Sequence, residues 1–480
     1  MLASEQRKWL ALALLSVVQF MVVLDIAIVN VALPSIQTDL GFSQENLQWV
    51  ISAYALVFGG FLLLGGRAAD LLGRRLIFLA GVFVFTLSSL LAGLAWSEAS
   101  LIGARAFQGL GAAIITPAAL SILSTTFVEG RERNIALGVW GAVGGFGAAA
   151  GVLLGGILTD ALSWEWIFFV NIPVGVVAFA LAPLLLRESR DARVKTFDLP
   201  GAVLVTGGLS LLVYAITQAG EQGWLATETL AFFGISIALL AGFVGWELRH
   251  PEPLMRFGLL RTRTVAGANV AGFIMGTAMF SMFLMLTLYM QQVLGYSAMK
   301  TGVAYLAVAG TAIVWSAVAA QLVTRIGVKP VLTAGMAFLT AGLVYFTQVS
   351  VGGSYLTDLL PGFLLIGVGI GFSFVPISIA ALAGVQPAEA GLASGLINTS
   401  QQIGGALGIA ALSTIATSQT ENALGTGTAM PVALVDGFTA AFLAGVAIAG
   451  LGIVAALTLI RRDELEQVPE EAEPALDLAA

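Results

Sequence analysis

Cysteine is absent from the 480 residues, and histidine occurs once, at His250. Without thiols there are no disulfides, thiolate metal sites, iron–sulfur clusters or thiol nucleophiles. A lone imidazole excludes histidine-based metal clusters and chains of proton-relay histidines. Charge is scarce as well. Asp, Glu, Lys and Arg make up 10% of the chain, and 21 basic and 28 acidic residues are too few to coat a globular surface of this size. That scarcity excludes a nucleic-acid binder, a disordered tail protein and an ordinary soluble enzyme. The net charge of -7 says little, because acids gather in the C-terminal tail from Asp463 to Asp477. No phosphate loop of the Gly-x-x-x-x-Gly-Lys-Ser/Thr type is present; the nearest look-alike, around Lys300 and Thr301, has Met299 where Gly is needed. Nor is there a His-Glu-x-x-His or paired-carboxylate motif. The chain is expected to have no ATPase of its own, to be no enzyme and to need no cofactor.

Apolar residues are abundant instead, at 58% of the chain. A helix crossing about 30 Å of hydrocarbon needs ~20 mostly apolar residues. Cutting the sequence at its polar clusters leaves fourteen such runs, near 9–33, 48–66, 76–95, 100–127, 134–160, 165–186, 199–218, 228–247, 264–290, 301–323, 330–348, 356–383, 391–418 and 437–460. Lys and Arg then fall into every second connection, as the positive-inside rule demands. Only Lys300 lies on the other side and only Arg105 inside a run. Both termini are therefore expected in the cytoplasm. The first run is too long for a signal-peptide core and lacks a small-residue cleavage site, so it reads as an anchor.

Residues 65–81 have an echo at 319–335, pairing Gly73 with Gly327, Arg75 with Lys329 and Gly81 with Gly335. The same offset carries runs 1 to 5 onto runs 9 to 13, and run 6 onto run 14 with a longer outer loop. The reading is an all-α polytopic membrane protein. It has a six-helix bundle in 1–190, two additional helices in 191–262, a second bundle in 263–462 and an acidic tail in 463–480. Because both copies of the echo lie in cytoplasmic loops, the repeat is parallel, with an axis along the membrane normal.

Gly66-x-x-x-Asp70-x-x-Gly73-Arg74-Arg75 after run 2 resembles the loop signature of the major facilitator superfamily. Residues 24–34, Arg105-x-x-Gln108-Gly109-x-Gly111 in run 4 and residues 164–173 at run 6 are similar to its fourteen-span drug:proton antiporters. The resemblance covers the chain to about residue 462. It implies the major facilitator fold and a two-bundle exporter working by alternating access, with protons entering as substrate leaves. The chain departs from the family pattern at Val152, where Pro is usual, at Ala27 for a common Thr, and at Glu165 for a common Arg.

Asp25 lies deep in run 1. An ionised carboxylate in hydrocarbon is costly and faces a cavity or a partner, so it marks function. A carboxylate whose proton affinity changes with the direction of opening is the minimum device for coupling protons to transport. Arg105 cannot discharge and must find acceptors. Either it pairs with carbonyls of a neighbouring helix, or it biases the proton affinity of a nearby acid; the resemblance implies a part in proton coupling. Gly66, Asp70, Gly73, Arg74 and Arg75 form a cytoplasmic gating motif, in which Asp70 near a helix N-terminus and basic neighbours makes a charge-assisted latch.

Gly147, Gly151 and Gly155 put three glycines on one face of run 5 and read as a packing seam against the other bundle. For a substrate cavity the candidates are Met275, Met279, Met282, Tyr289 and Gln292 around run 9, Phe372 in the glycine-rich run 12, and the polar set Asn398, Gln401 and Gln402 in run 13. Met suits promiscuous surfaces, although a Met stripe also serves plain packing, and the polar set serves equally for interhelical hydrogen bonds. The expected function is proton-coupled export of lipophilic or monocationic small molecules, of multidrug type, by a monomer in the plasma membrane. Partners are a drug or metabolite, protons and the lipid bilayer. A dedicated exporter of one antibiotic or metabolite, an uptake symporter, and a non-transporting sensor or scaffold are the alternatives.

Overall fold

The computed structural model describes residues 4–127, 131–190, 198–251, 253–385 and 390–465. No strand occurs among them. The long helices are α1 (Ser4–Leu40), α2 (Trp49–Leu72), α3 (Arg74–Gly93), α4 (Glu98–Thr126), α5 (Arg131–Ala161), α6 (Trp166–Leu185) and α7 (Leu199–Gln222). They continue with α8 (Thr227–Glu247), α9 (Arg263–Leu288), α10 (Ala298–Ile326), α11 (Val328–Phe346), α12 (Leu360–Ala380), α13 (Ala390–Gly425) and α14 (Met430–Leu459). Twelve are long and apolar enough to cross a membrane, and α5 and α13, with 31 and 36 residues, have the length. Fourteen crossings return both ends of the chain to the same side. Residues 1–190 hold α1 to α6, 191–262 hold α7 and α8, and 263–462 hold α9 to α14; of the tail, residues 466–480 lie outside the described residues.

Helix packing repeats with a step of eight helices. α1 packs on α5 and α6, α2 on α4, and α3 on α4 and α6; correspondingly α9 packs on α13 and α14, α10 on α12, and α11 on α12 and α14. The echo seen in the sequence has a backbone counterpart. Gly73 and Gly327 each end a helix with positive φ, 122° and 88°, a conformation glycine reaches without a Cβ penalty, and the next helix starts immediately. Gly81 lies against Ile114 and Ile115 of α4, and Gly335 against Phe372 and Ser373 of α12, so both pairs make the same close approach.

The bundles meet through α5 on α10 and α2 on α13, contacts that the same symmetry exchanges. On α5 the contact face carries Val152, Gly156 and Asp160. Val152 O would lie 2.3 Å from a Cβ at Gly302, and Gly156 sits against Ala298 and Met299. Asp160 accepts the N–H groups of Ala298 (3.1 Å) and Met299 (2.8 Å), capping the first turn of α10 from the other bundle. Gln291 donates to Val31 O at 2.8 Å and Gln292 to Gln37 at 3.0 Å, tying the segment after α9 to the outer part of α1. All these ties lie at the outer ends of the helices, so the two bundles are closed together on that side.

The expected seam of Gly147, Gly151 and Gly155 faces elsewhere. All three lie against α1 of their own bundle, at Phe20 and Val23, at Leu24 and Ala27, and at Ile28. Their spacing of four repeats once per turn and gives a single stripe, whereas Gly156 is one residue on and so about 100° around the helix, facing the other bundle. The accessory helices α7 and α8 pack on each other, and α7 leans on both α2 and α13. Gln48 donates to Thr217 at 3.0 Å in that contact.

Candidate functional site

Five helices of the first bundle converge on one buried polar cluster. Asp25, from α1, has no exposed surface, and Arg105, from α4, has 1%. Arg105 Nη1 stands 2.6 Å from Asp25 Oδ2. Asp25 Oδ1 accepts from Gln108 Nε2 (2.7 Å) and Asn171 Nδ2 (2.8 Å), on α4 and α6. Ser89 of α3 accepts from the same two amides, at 3.1 and 3.0 Å, and donates to Phe168 O at 2.9 Å. Arg105 also donates from Nε to Val50 O of α2 at 3.0 Å and from Nη1 to Gln108 Oε1 at 2.6 Å. Its guanidinium lies over the Tyr54 ring at 4.4 Å and near the Phe168 ring at 5.7 Å. A fully buried charge pair is tolerated where extra bonds support it, and here Asp25 accepts three hydrogen bonds and Arg105 donates three.

Asp25 is positioned by glycine. Gly151 and Gly155 let α5 approach the backbone of α1 at Leu24 and Ile28, either side of Asp25. Arg105 and Gln108 are three apart on α4, so they share a face and reach the same carboxylate. The arrangement satisfies a deprotonated Asp25 with three donors, all carried by α4 and α6. Any motion that draws α1 from those helices removes these donors from the carboxylate.

The loop signature lies at the cytoplasmic ends of α2 and α3. Arg74 bonds Asp70 across the junction (Nε to Oδ1 3.0 Å), and Ser121 of α4 reaches the same oxygen at 3.4 Å. Gly66 sits at contact distance from Pro117, 3.4 Å from a built Cβ. The segment after α6 completes the motif. Glu188 accepts the N–H groups of Arg75 and Leu76 at 3.1 Å each, placing an anion on the N-terminus of α3, and Arg74 N bonds Ser189 O at 3.0 Å.

The candidate cavity residues are distributed more widely. Met275 and Met282 are buried in the core of the second bundle, and Met279 is partly buried against it. Tyr289 donates to Ser350 O at 2.7 Å and Gln292 is engaged with Gln37, both at the outer end. Phe372 packs edge-on against Trp315 and Phe338. On α13, Asn398 is exposed and bonds back to Ser394 O at 2.9 Å. Gln401 lines the close contact with Gly272 and Gly276 of α9. Gln402 touches Gly59 of α2 and leaves its buried Oε1 without a partner among the described residues.

Gln108, Asn171 and Ser89 were not singled out by sequence reasoning, although Gln108 and Asn171 stand inside the quoted motifs. An amide in an otherwise apolar run, three residues from a buried Arg, is the signal that could have found Gln108. Glu188 and Asp160 gave none, since each sits among ordinary loop charges or at a helix end.

The cephamycin export protein of Amycolatopsis lactamdurans is 42% identical over 416 residues, 85% of this chain and 85% of that protein. The puromycin resistance protein of Streptomyces alboniger is 42% identical over 448 residues, 93% and 89% of the two chains. Among solved structures, a bacterial homologue of the human lysosomal transporter Spinster superposes with a TM-score of 0.68 at 16% identity, over 98% of this chain and 100% of that one. That likeness concerns the fold. The family model described as Major Facilitator Superfamily matches residues 15–409, and with these relatives and fourteen long helices it makes the chain a member of that superfamily, a multi-pass protein of the bacterial plasma membrane.

Proposed function

We propose that the protein is a proton-coupled exporter of small molecules, working by alternating access, with Asp25 as the group that takes up and releases the proton. The observation that carries this is the three-donor cluster around Asp25, whose donors sit on helices other than its own. Arg105 is the coupling partner, holding the carboxylate charged until the helices part. The loop motif from Gly66 to Arg75, braced by Glu188, is the cytoplasmic gate. Substrate passes along the faces of α9 and α13 that carry Met279, Asn398 and Gln402, where polar capacity remains free.

Exchange of one proton for a monovalent cation is electroneutral. Export of a neutral drug would respond to voltage by about 2.3 kcal/mol per charge per 100 mV, so lipophilic monocations suit a single carrier best. The test is dye efflux in inverted vesicles energised by a proton gradient. Wild type should release protons in step with dye, and Asp25→Asn should abolish that release; proton release that survives the substitution would remove Asp25 from the role.

A second reading, export of one antibiotic or metabolite, has its own support: the two relatives at 42% identity are named for puromycin and cephamycin. A panel of compounds separates the two. A dedicated exporter lowers accumulation of one chemical class, a multidrug exporter of several.

A further inference from the structure

A pair of buried acids lies at the cytoplasmic base of the accessory helices, far along the chain from Asp25. Asp198, just before α7, is 2% exposed, and Glu247, the last residue of α8, is 3% exposed. Asp198 Oδ1 accepts the Gly201 N–H (2.9 Å) and the Trp246 indole N–H (2.7 Å); Glu247 Oε2 accepts the Met255 N–H (2.9 Å). The other oxygen of each acid, Asp198 Oδ2 and Glu247 Oε1, is buried without a hydrogen-bond partner among the described residues. Both point over Gly201, where a Cβ would lie 2.6 Å from the first and 2.5 Å from the second. His250 stacks on Trp246, with Nδ1 3.9 Å from Asp198 Oδ2 and also unpartnered.

As two carboxylates these facing oxygens are acceptors only, and burying both unpaired would be costly. One proton between them satisfies both. We propose that Asp198 and Glu247 bind a single proton between them and, with His250, form a cytoplasmic proton-binding site on α7 and α8 that is separate from Asp25. Helix polarity decides who carries it. Asp198 occupies the N-cap of α7, where an anion is favoured and where its carboxyl, raised by burial, is brought below the usual value by the Gly201 N–H, Glu247, Trp246 and His250. Glu247 sits at the C-terminal end of α8, where an anion is disfavoured, so the neutral acid is Glu247, donating from Oε1 to Asp198 Oδ2.

Other charges around the pair are Arg249, which turns back to Gly245 O at 3.1 Å, Arg256 in the connection to α9, and Arg67 on α2, one turn beyond the Leu64 that packs near Ala202. None bonds to the two facing oxygens. Because α7 leans on both α2 and α13, the site lies at the foot of the one helix pair that touches both bundles outside their own seams.

The test uses the full-length protein in detergent. Infrared spectra at neutral pH should contain a protonated-carboxyl band that Glu247→Gln removes and Asp25→Asn keeps. In parallel, the melting temperature of wild type should fall as pH rises and the proton is lost, while Glu247→Gln, with a permanent donor, stays flat. Should Glu247→Gln fail to fold, Asp198→Asn serves, shifting the band without removing it. An unchanged band in Glu247→Gln, or an unshifted one in Asp198→Asn, overturns the proposal. So does a wild-type pH profile abolished by replacing choline with sodium at constant ionic strength, which would make the ligand an alkali cation.

Discussion

Arg105 holds Asp25 at 2.6 Å with both side chains sealed from solvent, and it does so while bonding the α2 backbone at Val50. The pair thus ties α1, α2 and α4 together around one charge. Removing one member of a buried pair leaves the other uncompensated, at a cost of about 3–5 kcal/mol. Arg105→Ala should therefore lower the melting temperature strongly, and adding Asp25→Asn should recover part of the loss. Arg105→Lys should behave more like the Ala variant than like wild type, because an ammonium cannot reach Val50 O and Asp25 in the fork that guanidinium provides. Melting curves of the four variants of a double-mutant cycle check this; additive losses would mean that the two side chains do not act as a pair.

Gly151 makes a prediction about spacing. A Cβ there would stand 2.7 Å from Ala27 Cβ and 2.8 Å from Leu24 O, so one helix must move. Gly151→Ala should cost about 1–3 kcal/mol, as overpacking of a tight contact does. It should also impair proton-coupled efflux, since Leu24 and Ala27 flank Asp25. Gly103→Ala on α4, with nothing within 4 Å of the new methyl, is the control and should leave the melting temperature unchanged or slightly raised. Helix propensity favours Ala over Gly at both positions, so a loss at Gly103 equal to that at Gly151 would show that the close approach to α1 is not the cause.

Span number, sidedness and the internal repeat were legible because each is written in local composition: apolar length, basic loops, and a glycine that ends a helix at both Gly73 and Gly327. Asp25 and Arg105 were legible as candidates because charge in an apolar run is conspicuous. Their pairing was not, since nothing in a sequence gives the rotation of α1 against α4. The same gap explains the glycine stripe of α5. The spacing revealed a close approach, but whether the neighbour was α1 or α10 turned on a rotation of one residue, and the face that meets the other bundle carries Val152, Gly156 and Asp160. Asn171 and Glu188 escaped for a further reason: their partners are over 80 residues away in chain, and short polar side chains are common at helix ends.

The outer closure of the two bundles depends on a cap that crosses between them. Asp160 accepts the amides of Ala298 and Met299, and removing a capping side chain costs about 1 kcal/mol. Asp160→Ala should accordingly speed hydrogen exchange in the first turn of α10 by roughly fivefold, with little change in the middle of that helix. It should also shift the transporter toward opening on the outer side. Exchange rates at residues 298–299 that match wild type would show that Asp160 is not what holds this end closed.

Glu464 offers a pH-dependent counterpart at the cytoplasmic end of the second bundle. Its Oε2 accepts the Thr264 N–H at 2.7 Å, placing an anion on the first turn of α9. Burial pushes its carboxyl up, but the Thr264 side chain, the Thr264 and Arg263 N–H groups and Arg461 together bring it below the usual glutamate value. A depressed folded-state value means that the ionised form stabilises the fold above the unfolded value, about 4.3, and that the contribution fades as pH falls through the folded one. Wild type should therefore melt above Glu464→Gln at neutral pH, and the gap should close as the pH is brought below the ordinary glutamate range. Melting curves across that interval decide the matter: a gap that stays constant with pH would assign the effect to hydrogen-bond geometry and not to the charge on the cap.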